Sequence, residues 1–404
     1  MKKISILGLC LVAGLTMSAQ KSLLKEVENT VKSGNFDYAA ISDKISQITT
    51  NPETKDDVKA WLVAGQAAFA NYDALFLKVQ IGQDVDKKLM GQSMLDGYNY
   101  MVKALPLDTV VDDKGKIKTK ESKKIVKTIA DNYSHFNNAG IFLWEVEDYK
   151  GAYNAWDIYV NLPNDPRMGK TGLKADNDSI VSQIVFNQAL AAWQTDELDK
   201  ALVAFDKAYK MGYNKKNLFD YAISVATQAR KNNEALKYAN LAYPIYGKEN
   251  PVYLQVIVND FLEKKEYVKA REMLTGLLAS EPNNAEYYDL IGVLYESEGK
   301  TDEALGSYKK SVELNGKSAV AKFHLGYLLY NKAYAIDNEA SKKSQPEYDK
   351  ISKEQTEPLF REAATQLEDA YNLDEQNMGD ALKILKNIYY LLGDEENLKR
   401  VELM

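Results

Sequence analysis

Apolar side chains in the second half of the chain follow a helical spacing that is interrupted by regular turns. Tyr288, Ile291 and Tyr295 are three and four residues apart, so they lie on one face of a predicted helix. Gly299 marks a turn, and a second apolar stripe with the same spacing follows it. The pattern predicts two short helices joined by a tight turn, in a unit from Ala285 to Ser318.

This arrangement recurs with a period of 34 residues. Gly292 and Ala304 hold glycine and a small side chain where the two helices of a unit must approach each other closely. The equivalent pairs in the preceding units are Val258 with Ala270, Ile223 with Ala235 after a slip of one residue, and Ala189 with Ala201, and Gly326 takes the first place in the following unit. Repetition at this period indicates stacked helix–turn–helix units, each of which buries its apolar face against its neighbours.

The best units carry an aromatic residue, then Leu-Gly or its equivalent, then Tyr, Ala, an aromatic residue, Ala and Pro. In these positions the chain resembles the tetratricopeptide repeat (TPR) family. The resemblance implies an all-α fold, an α-solenoid of about eight to nine helix–turn–helix units across nearly the whole chain. Two units are stretched, between Gly65 and Gly97 and between Gly326 and Ala363. The added residues predict either elongated helix pairs or mobile surface insertions.

Two irregular connectors interrupt the repeats and divide the chain into predicted parts. Residues Leu107 to Thr119 alternate valines with charges around a turn, which predicts a short β-hairpin connector. The predicted domains are a signal peptide (1–19), N-terminal repeats with an elongated second unit (20–165), an irregular connector (166–181), and a C-terminal array (182–404) with an insertion at about 332–358.

The first residues have the layout of a secretory signal peptide. Two lysines precede the apolar run Ile4–Leu15, which is too short to span a bilayer. The ending Ser18-Ala19-Gln20 resembles export signals common in Bacteroidota and predicts cleavage before Gln20. Leu9 precedes Cys10, the only cysteine, where a lipoprotein signal needs a small residue. We therefore expect an exported, periplasmic or secreted protein without a lipid anchor.

Composition excludes several classes of function. Hydrophobic residues make up 45% of the chain and charged residues 27%, which is typical of a folded protein. The net charge is −7 and no basic stripe is present, so nucleic acid is a poor partner. Apart from the signal, no apolar run is long enough for a transmembrane helix.

No motif predicts catalysis, a metal site or a cofactor. The two histidines, His135 and His324, each lie beside an aromatic residue in a first helix, which favours a packing role. Gly169–Thr171 ends like a phosphate loop but lacks its first glycine. Asp176–Ser179 begins like a calcium loop without the later ligands, and an N-cap by Asp178 or Ser179 explains it better. The protein is predicted not to be an enzyme.

The resemblance also implies where a partner binds. In TPR proteins the first helix of each unit lines a concave groove, and Gln255 and Glu286 occupy such positions here. The candidate groove residues are Trp144, Phe186, Trp193, Asp220, Asn259, Glu263, Asp289, Glu296, Phe323, Tyr327 and Tyr330. They predict a face that is aromatic at both ends and acidic in the middle, or a set of aromatic rings that only pack between helices.

The leading hypothesis is a non-enzymatic scaffold of the bacterial cell envelope that binds a protein or an extended peptide. Acidic and amide side chains favour a basic or amide-rich partner. The TPR clamp for C-terminal carboxylates is disfavoured, because the inner positions of the central units hold no Lys or Arg. The alternative is glycan or small-ligand binding, in which Trp144, Trp193 and Tyr330 would stack on sugar rings.

Overall fold

The computed structural model describes residues 21–34, 36–111, 113–115 and 117–404. The predicted signal peptide, including Cys10, lies outside these residues. The chain forms two compact units, of which the first extends to Tyr238 and the second runs from Ala239 to Met404. The connector predicted at 166–181 therefore lies inside the first unit.

Helices account for nearly all regular structure in both units. The helices that begin in the first unit are α1 (residues 21–32), α2 (Tyr38–Thr50), α3 (Val58–Gln80), α4 (Lys87–Ala104), α5 (Ser122–Asp131), α6 (Tyr133–Glu145), α7 (Tyr149–Asn161), α8 (Asp178–Gln194), α9 (Leu198–Lys210), α10 (Lys216–Gln228) and α11 (Asn232–Tyr246), which contains the boundary. The second unit continues with α12 (Val252–Glu263), α13 (Tyr267–Ser280), α14 (Ala285–Ser297), α15 (Thr301–Leu314), α16 (Ala319–Ala340), α17 (Gln345–Ile351), α18 (Glu357–Leu373), α19 (Gly379–Leu391) and α20 (Glu395–Glu402).

The hairpin of α14 and α15 shows how a unit is held together. Gly292 on α14 faces the ring of Tyr308 on α15, and a Cβ atom built at Gly292 would lie 2.4 Å from Cε1 of that ring. Ala304 and Tyr308 are both fully buried. Because the ring fills the space that a side chain at Gly292 would need, the two helices can approach closely. The predicted close approach is confirmed.

Other hairpins use the same kind of contact. Gly140 on α6 meets the indole of Trp156 on α7, where a Cβ would lie 2.3 Å from Nε1. Gly326 on α16 meets Leu367 on α18, where the corresponding distance to Cγ is 2.7 Å. The fold is an all-α solenoid of TPR-type hairpins, as predicted, and its core lies between the helices of each hairpin and of successive hairpins.

The turns inside the hairpins follow a rule that the sequence analysis missed. In the five consecutive hairpins from α6–α7 to α14–α15, one residue at the turn has a left-handed backbone, with φ between 56° and 75°, at Glu147, Asp196, Arg230, Lys265 and Gly299. Only the last of these five is glycine, so only that turn among them is recognisable from residue type. A left-handed backbone costs other residues about 1–2 kcal/mol, which the surrounding helix packing must outweigh.

Both stretched units contain elongated helices. In the first, α3 has 23 residues and packs against α4, which has 18. In the second, α16 has 22 residues and packs against α18. The segment predicted as an insertion, 332–358, forms the end of α16, then α17 and a π-helical turn at Ser352–Thr356. It is therefore mostly helical.

The first connector contains the short β-hairpin that the sequence predicts. Val110–Val111 pairs antiparallel with Ile117–Lys118. Buried Asp108 closes the loop, because its carboxylate accepts hydrogen bonds from the backbone nitrogens of Lys120, Glu121 and Ser122 and from the Ser122 hydroxyl, at 2.6–3.0 Å. Burial opposes ionisation, but these four donors outweigh it and hold the pKa of Asp108 below 3.8.

The second connector is compact. A 3-10 turn at Leu162–Asn164 precedes it, and it begins with a second 3-10 turn at Pro166–Lys170, in which Met168 is buried. Asn177 caps α8 by accepting from the backbone nitrogen of Ile180, so the N-cap predicted at Asp178 or Ser179 is wrong by one or two residues.

Substitution of Gly292 tests the packing rule. We expect Gly292→Ala to lower the free energy of unfolding by about 1–3 kcal/mol, because the added methyl group meets the Tyr308 ring. Gly306→Ala is the matched control on α15, where nothing lies within 4 Å of the added Cβ. The control should be neutral or stabilising by up to about 1 kcal/mol, since alanine favours helix. Urea denaturation measures both, and equal effects would contradict the packing rule.

Candidate binding groove of the second unit

A cavity of about 390 Å³ lies along the first helices of three successive hairpins, α12, α14 and α16. Its polar lining includes Gln255, Asn259, Glu286, Asp289 and His324, and its apolar lining includes Val258, Leu262, Leu290, Val293 and Val320. We call this cavity the groove. It combines the apolar surface and the few polar groups that ligand sites usually show.

Helical spacing explains why these side chains share one face. On α12, Gln255, Asn259 and Leu262 are four and three residues apart, so they form one stripe. On α14, Glu286 and Asp289 form the corresponding stripe. The side chain of Asn284 caps α14 by accepting hydrogen bonds from the backbone nitrogens of residues 286 and 287, so Glu286 lies in the first turn.

A histidine and a carboxylate join two neighbouring first helices at the groove. Nδ1 of His324 lies 3.0 and 3.1 Å from the two carboxylate oxygens of Asp289. Burial lowers the pKa of His324, but the hydrogen bond and charge of Asp289, with the charge of Glu296, outweigh it and raise the pKa above 6.5. When His324 is protonated, the pair of imidazolium and carboxylate is neutral overall, so Asp289 adds little negative charge to the groove.

The predicted acidic centre is less acidic than the sequence suggests. Asp289 is buried, with its side chain 11% exposed, and is engaged by His324. Glu296 accepts a hydrogen bond of 2.8 Å from the hydroxyl of Tyr308 and does not line the groove. Glu263 is exposed on α12 outside the groove. Asp289 lines the groove as predicted, but it is already paired with His324, and its contact with a partner stays a prediction.

Glu286 is the carboxylate that remains available. It lines the groove beside Asp289 and is half-buried. Burial, and then the charge of Asp289, raise the pKa of the Glu286 carboxyl above its ordinary value of 4.5. In the part of the chain that the structure describes, no Lys, Arg or His forms an ion pair with it. A cationic group bound in the groove would favour the ionised form of the Glu286 carboxylate and so oppose both effects.

The aromatic residues predicted in the first unit do not form one open surface. Phe186 is buried and stacks on Tyr213 at 4.5 Å between ring centroids, so it belongs to the core. Trp193 donates from Nε1 to Oε1 of Gln228 at 2.9 Å. Trp144 packs edge-on against a neighbouring tyrosine and lines a separate cavity of about 290 Å³. Asp220, on α10, forms an ion pair with Lys216 at 2.7 Å.

The aromatic residues predicted on α16 divide between surface and core. Phe323 and Tyr327 stack on each other with centroids 6.1 Å apart, and Tyr327 is 40% exposed. Tyr330 packs against Phe360, and its hydroxyl accepts a hydrogen bond of 2.6 Å from Asn387. The three rings proposed for sugar stacking, Trp144, Trp193 and Tyr330, are thus each held by intramolecular contacts.

Of the candidate residues, the groove brings together Asn259 and Asp289, with Gln255 and Glu286 from the same helix faces. Sequence reasoning assigned His324 to packing and missed its place in the site. A signal was available, because His324 follows Asp289 by 35 residues, one residue more than a period. The other histidine, His135, packs against Tyr72 and Phe76, but its buried Nδ1 has no hydrogen-bond partner within the described residues.

The described residues hold neither a metal-binding cluster nor a helix suited to crossing a membrane. No group of three or more His, Cys, Asp and Glu side chains is arranged there to hold a metal ion. Among the described helices, none is long and apolar enough to cross a membrane.

The chain shows limited similarity to known proteins. No protein-family model matches the chain. The chain is similar to protein O-mannosyl-transferase TMTC3 of Homo sapiens, with 27% identity over 194 residues, which cover 45% of this chain and 21% of that protein. The chain therefore spans about a fifth of the length of this curated relative.

Several solved TPR structures are similar to the chain. One is YrrB, a TPR protein with an unusual peptide-binding site, at 15% identity and a TM-score of 0.34, covering 50% of this chain and 96% of that chain. Another is a TPR repeats protein from Bacteroides fragilis, at 18% identity and a TM-score of 0.32, covering 64% and 98% respectively. With scores this low, the fold assignment depends on the hairpins described above.

The pair of His324 and Asp289 predicts a measurable titration. We expect the His324 signal in proton NMR to titrate above pH 6.5 in the native protein. Asp289→Asn should lower that pKa, because burial then dominates. The chain has only two histidines, so the His135 signal, which belongs to the other unit, serves as an internal control.

The raised pKa of His324 determines how the stability of the fold changes with pH. The pair stabilises the fold fully below pH 6.5, and this stabilisation is lost as the pH rises through the folded pKa. A His324 titration that is unchanged by Asp289→Asn would contradict the assigned pair.

Proposed function

We propose that this protein is a non-enzymatic scaffold that binds an extended basic segment of a partner protein in the groove of the second unit. The main support for this proposal is the environment of Glu286. This half-buried carboxylate lines a cavity of about 390 Å³ and has no cationic partner among the described residues. A Lys or Arg side chain of the partner would supply the missing charge.

The other groups of the groove fit a peptide. Gln255 and Asn259 are exposed, and their amides can pair with the N–H and C=O groups of an extended backbone. The apolar floor of Val258, Leu290 and Val293 can receive an apolar side chain beside the basic one. Asp289 is already bound to His324, so the partner's cation belongs at Glu286.

We propose that the protein is exported and acts in the envelope of a bacterium of the Bacteroidota type. The support is the pattern of residues 1–19, with two lysines, an apolar run and a polar ending. A scaffold exposed outside the cytoplasm would meet extended segments of other envelope proteins.

Peptide arrays test the groove directly. The full-length protein is probed against short synthetic peptides in which the content of Lys, Arg, Asp, Glu and Leu is varied systematically. We expect binding to peptides that combine a basic and an apolar residue, and Glu286→Gln to weaken that binding by about tenfold. The expected effect arises because the neutral amide no longer compensates the cation.

Glu272→Gln is the matched control, since Glu272 is an exposed carboxylate on α13 outside the groove. It should leave peptide binding unchanged. Absence of binding to basic peptides, or equal effects of the two substitutions, would rule out the proposed groove. Thermal denaturation of each variant separates lost binding from lost fold.

A further inference from the structure

A second cavity, in the first unit, has the opposite charge. It measures about 600 Å³ and lies between α5 and the second connector. Its basic side chains are Lys123 and Lys127 on α5 and Arg167 and Lys170 on the connector. We call it the basic pocket. It stands out because the whole chain has a net charge of −7.

The charges of the basic pocket are only partly compensated. Lys127 pairs with Asp131 at 2.7 Å on the same helix, and Arg167 binds Asp165 through Nε at 2.9 Å. Lys123 and Lys170 are exposed, and neither forms an ion pair with any residue that the structure describes. Asp131 is the one acidic residue of the pocket lining. The cavity therefore presents uncompensated positive charge.

The interior of the pocket is not suited to a small inorganic anion. Val126 and Ala130 on α5 and Leu173 in the connector supply apolar lining, and apolar surface predominates. The volume of about 600 Å³ lies within the range of sites for organic ligands. An occupant must combine anionic groups for the rim with an apolar body for the floor.

Both walls are held in place before any ligand binds. Asp108 fixes the start of α5 through its four accepted hydrogen bonds. Met168, buried beneath the connector, and the pair of Asp165 and Arg167 fix the opposite wall. A preformed cavity loses less conformational entropy on binding than one that must be ordered.

We propose that the basic pocket binds an acidic, apolar-containing segment of a partner protein. Carboxylates of that segment contact Lys123 and Lys170, and one apolar side chain fills the space against Val126 and Leu173. The site is separate from the groove, and it takes the opposite class of peptide. Positive rim charge also speeds association with an acidic segment, and this effect weakens as salt is added.

The test uses the full-length protein and a short fluorescent peptide in which Glu and Leu alternate. We expect saturable binding by fluorescence anisotropy that weakens with added salt. Lys123→Glu combined with Lys170→Glu should weaken it by tenfold or more. The matched control is Lys78→Glu combined with Lys207→Glu, since both lysines are exposed and helical and lie outside the pocket. The control should bind as the unaltered protein does.

Further arms separate this proposal from other occupants and from the groove. Glu286→Gln should leave binding of the acidic peptide unchanged, so failure of the groove does not affect this result. No binding of the peptide, or equal loss in the pocket and control variants, overturns the proposal. Full competition by inorganic phosphate at constant ionic strength would assign a small-anion site instead. Sedimentation with anionic phospholipid vesicles that depends on Lys123 and Lys170, without peptide binding, would assign a membrane surface.

Discussion

The close approach of a glycine on one helix to a large side chain on the next is the contact on which the rest of the structure depends. Gly292 against Tyr308, Gly140 against Trp156 and Gly326 against Leu367 each place a ring or branched side chain where a Cβ would otherwise lie. These contacts set how the two helices of a hairpin pack. Successive first helices then lie side by side, and their polar stripes meet in a shared surface. Of the three first helices that line the groove, α14 and α16 belong to hairpins with such a glycine contact.

The sequence predicts the architecture well because the packing contact recurs with the period. Gly292 and Ala304 identify the hairpin, and the stretched spacing after Gly326 identifies the elongated helices. The candidate site was harder to predict, because its electrostatics depend on pairs that form between neighbouring repeats. In the sequence, nothing near Asp289 indicates a partner for its carboxylate. In the structure, the first helix of the next hairpin places His324 at 3.0 Å from it. Residue type also cannot reveal that a lysine or an aspartate takes a left-handed turn conformation, as in the turns without glycine.

Charge is distributed unequally between the two proposed binding surfaces. The groove of the second unit contains Glu286 without a cationic partner, whereas the basic pocket of the first unit contains Lys123 and Lys170 without an anionic one. Each surface also offers apolar area, which supplies affinity, while charge discriminates between partners. A helical-hairpin protein with two such surfaces can recognise two segments of opposite charge, on one partner or on two.

Site-specific photocrosslinking in cells tests most directly whether the first-helix face of the second unit is the recognition surface. A photoreactive residue replaces Gln255, which lines the groove, or Val268, which is 58% exposed on α13 outside it. We expect the Gln255 position to crosslink to a partner through a segment containing Lys or Arg, identified by mass spectrometry, and the Val268 position not to crosslink. Crosslinks to the same partner from Val268 alone would contradict this expectation.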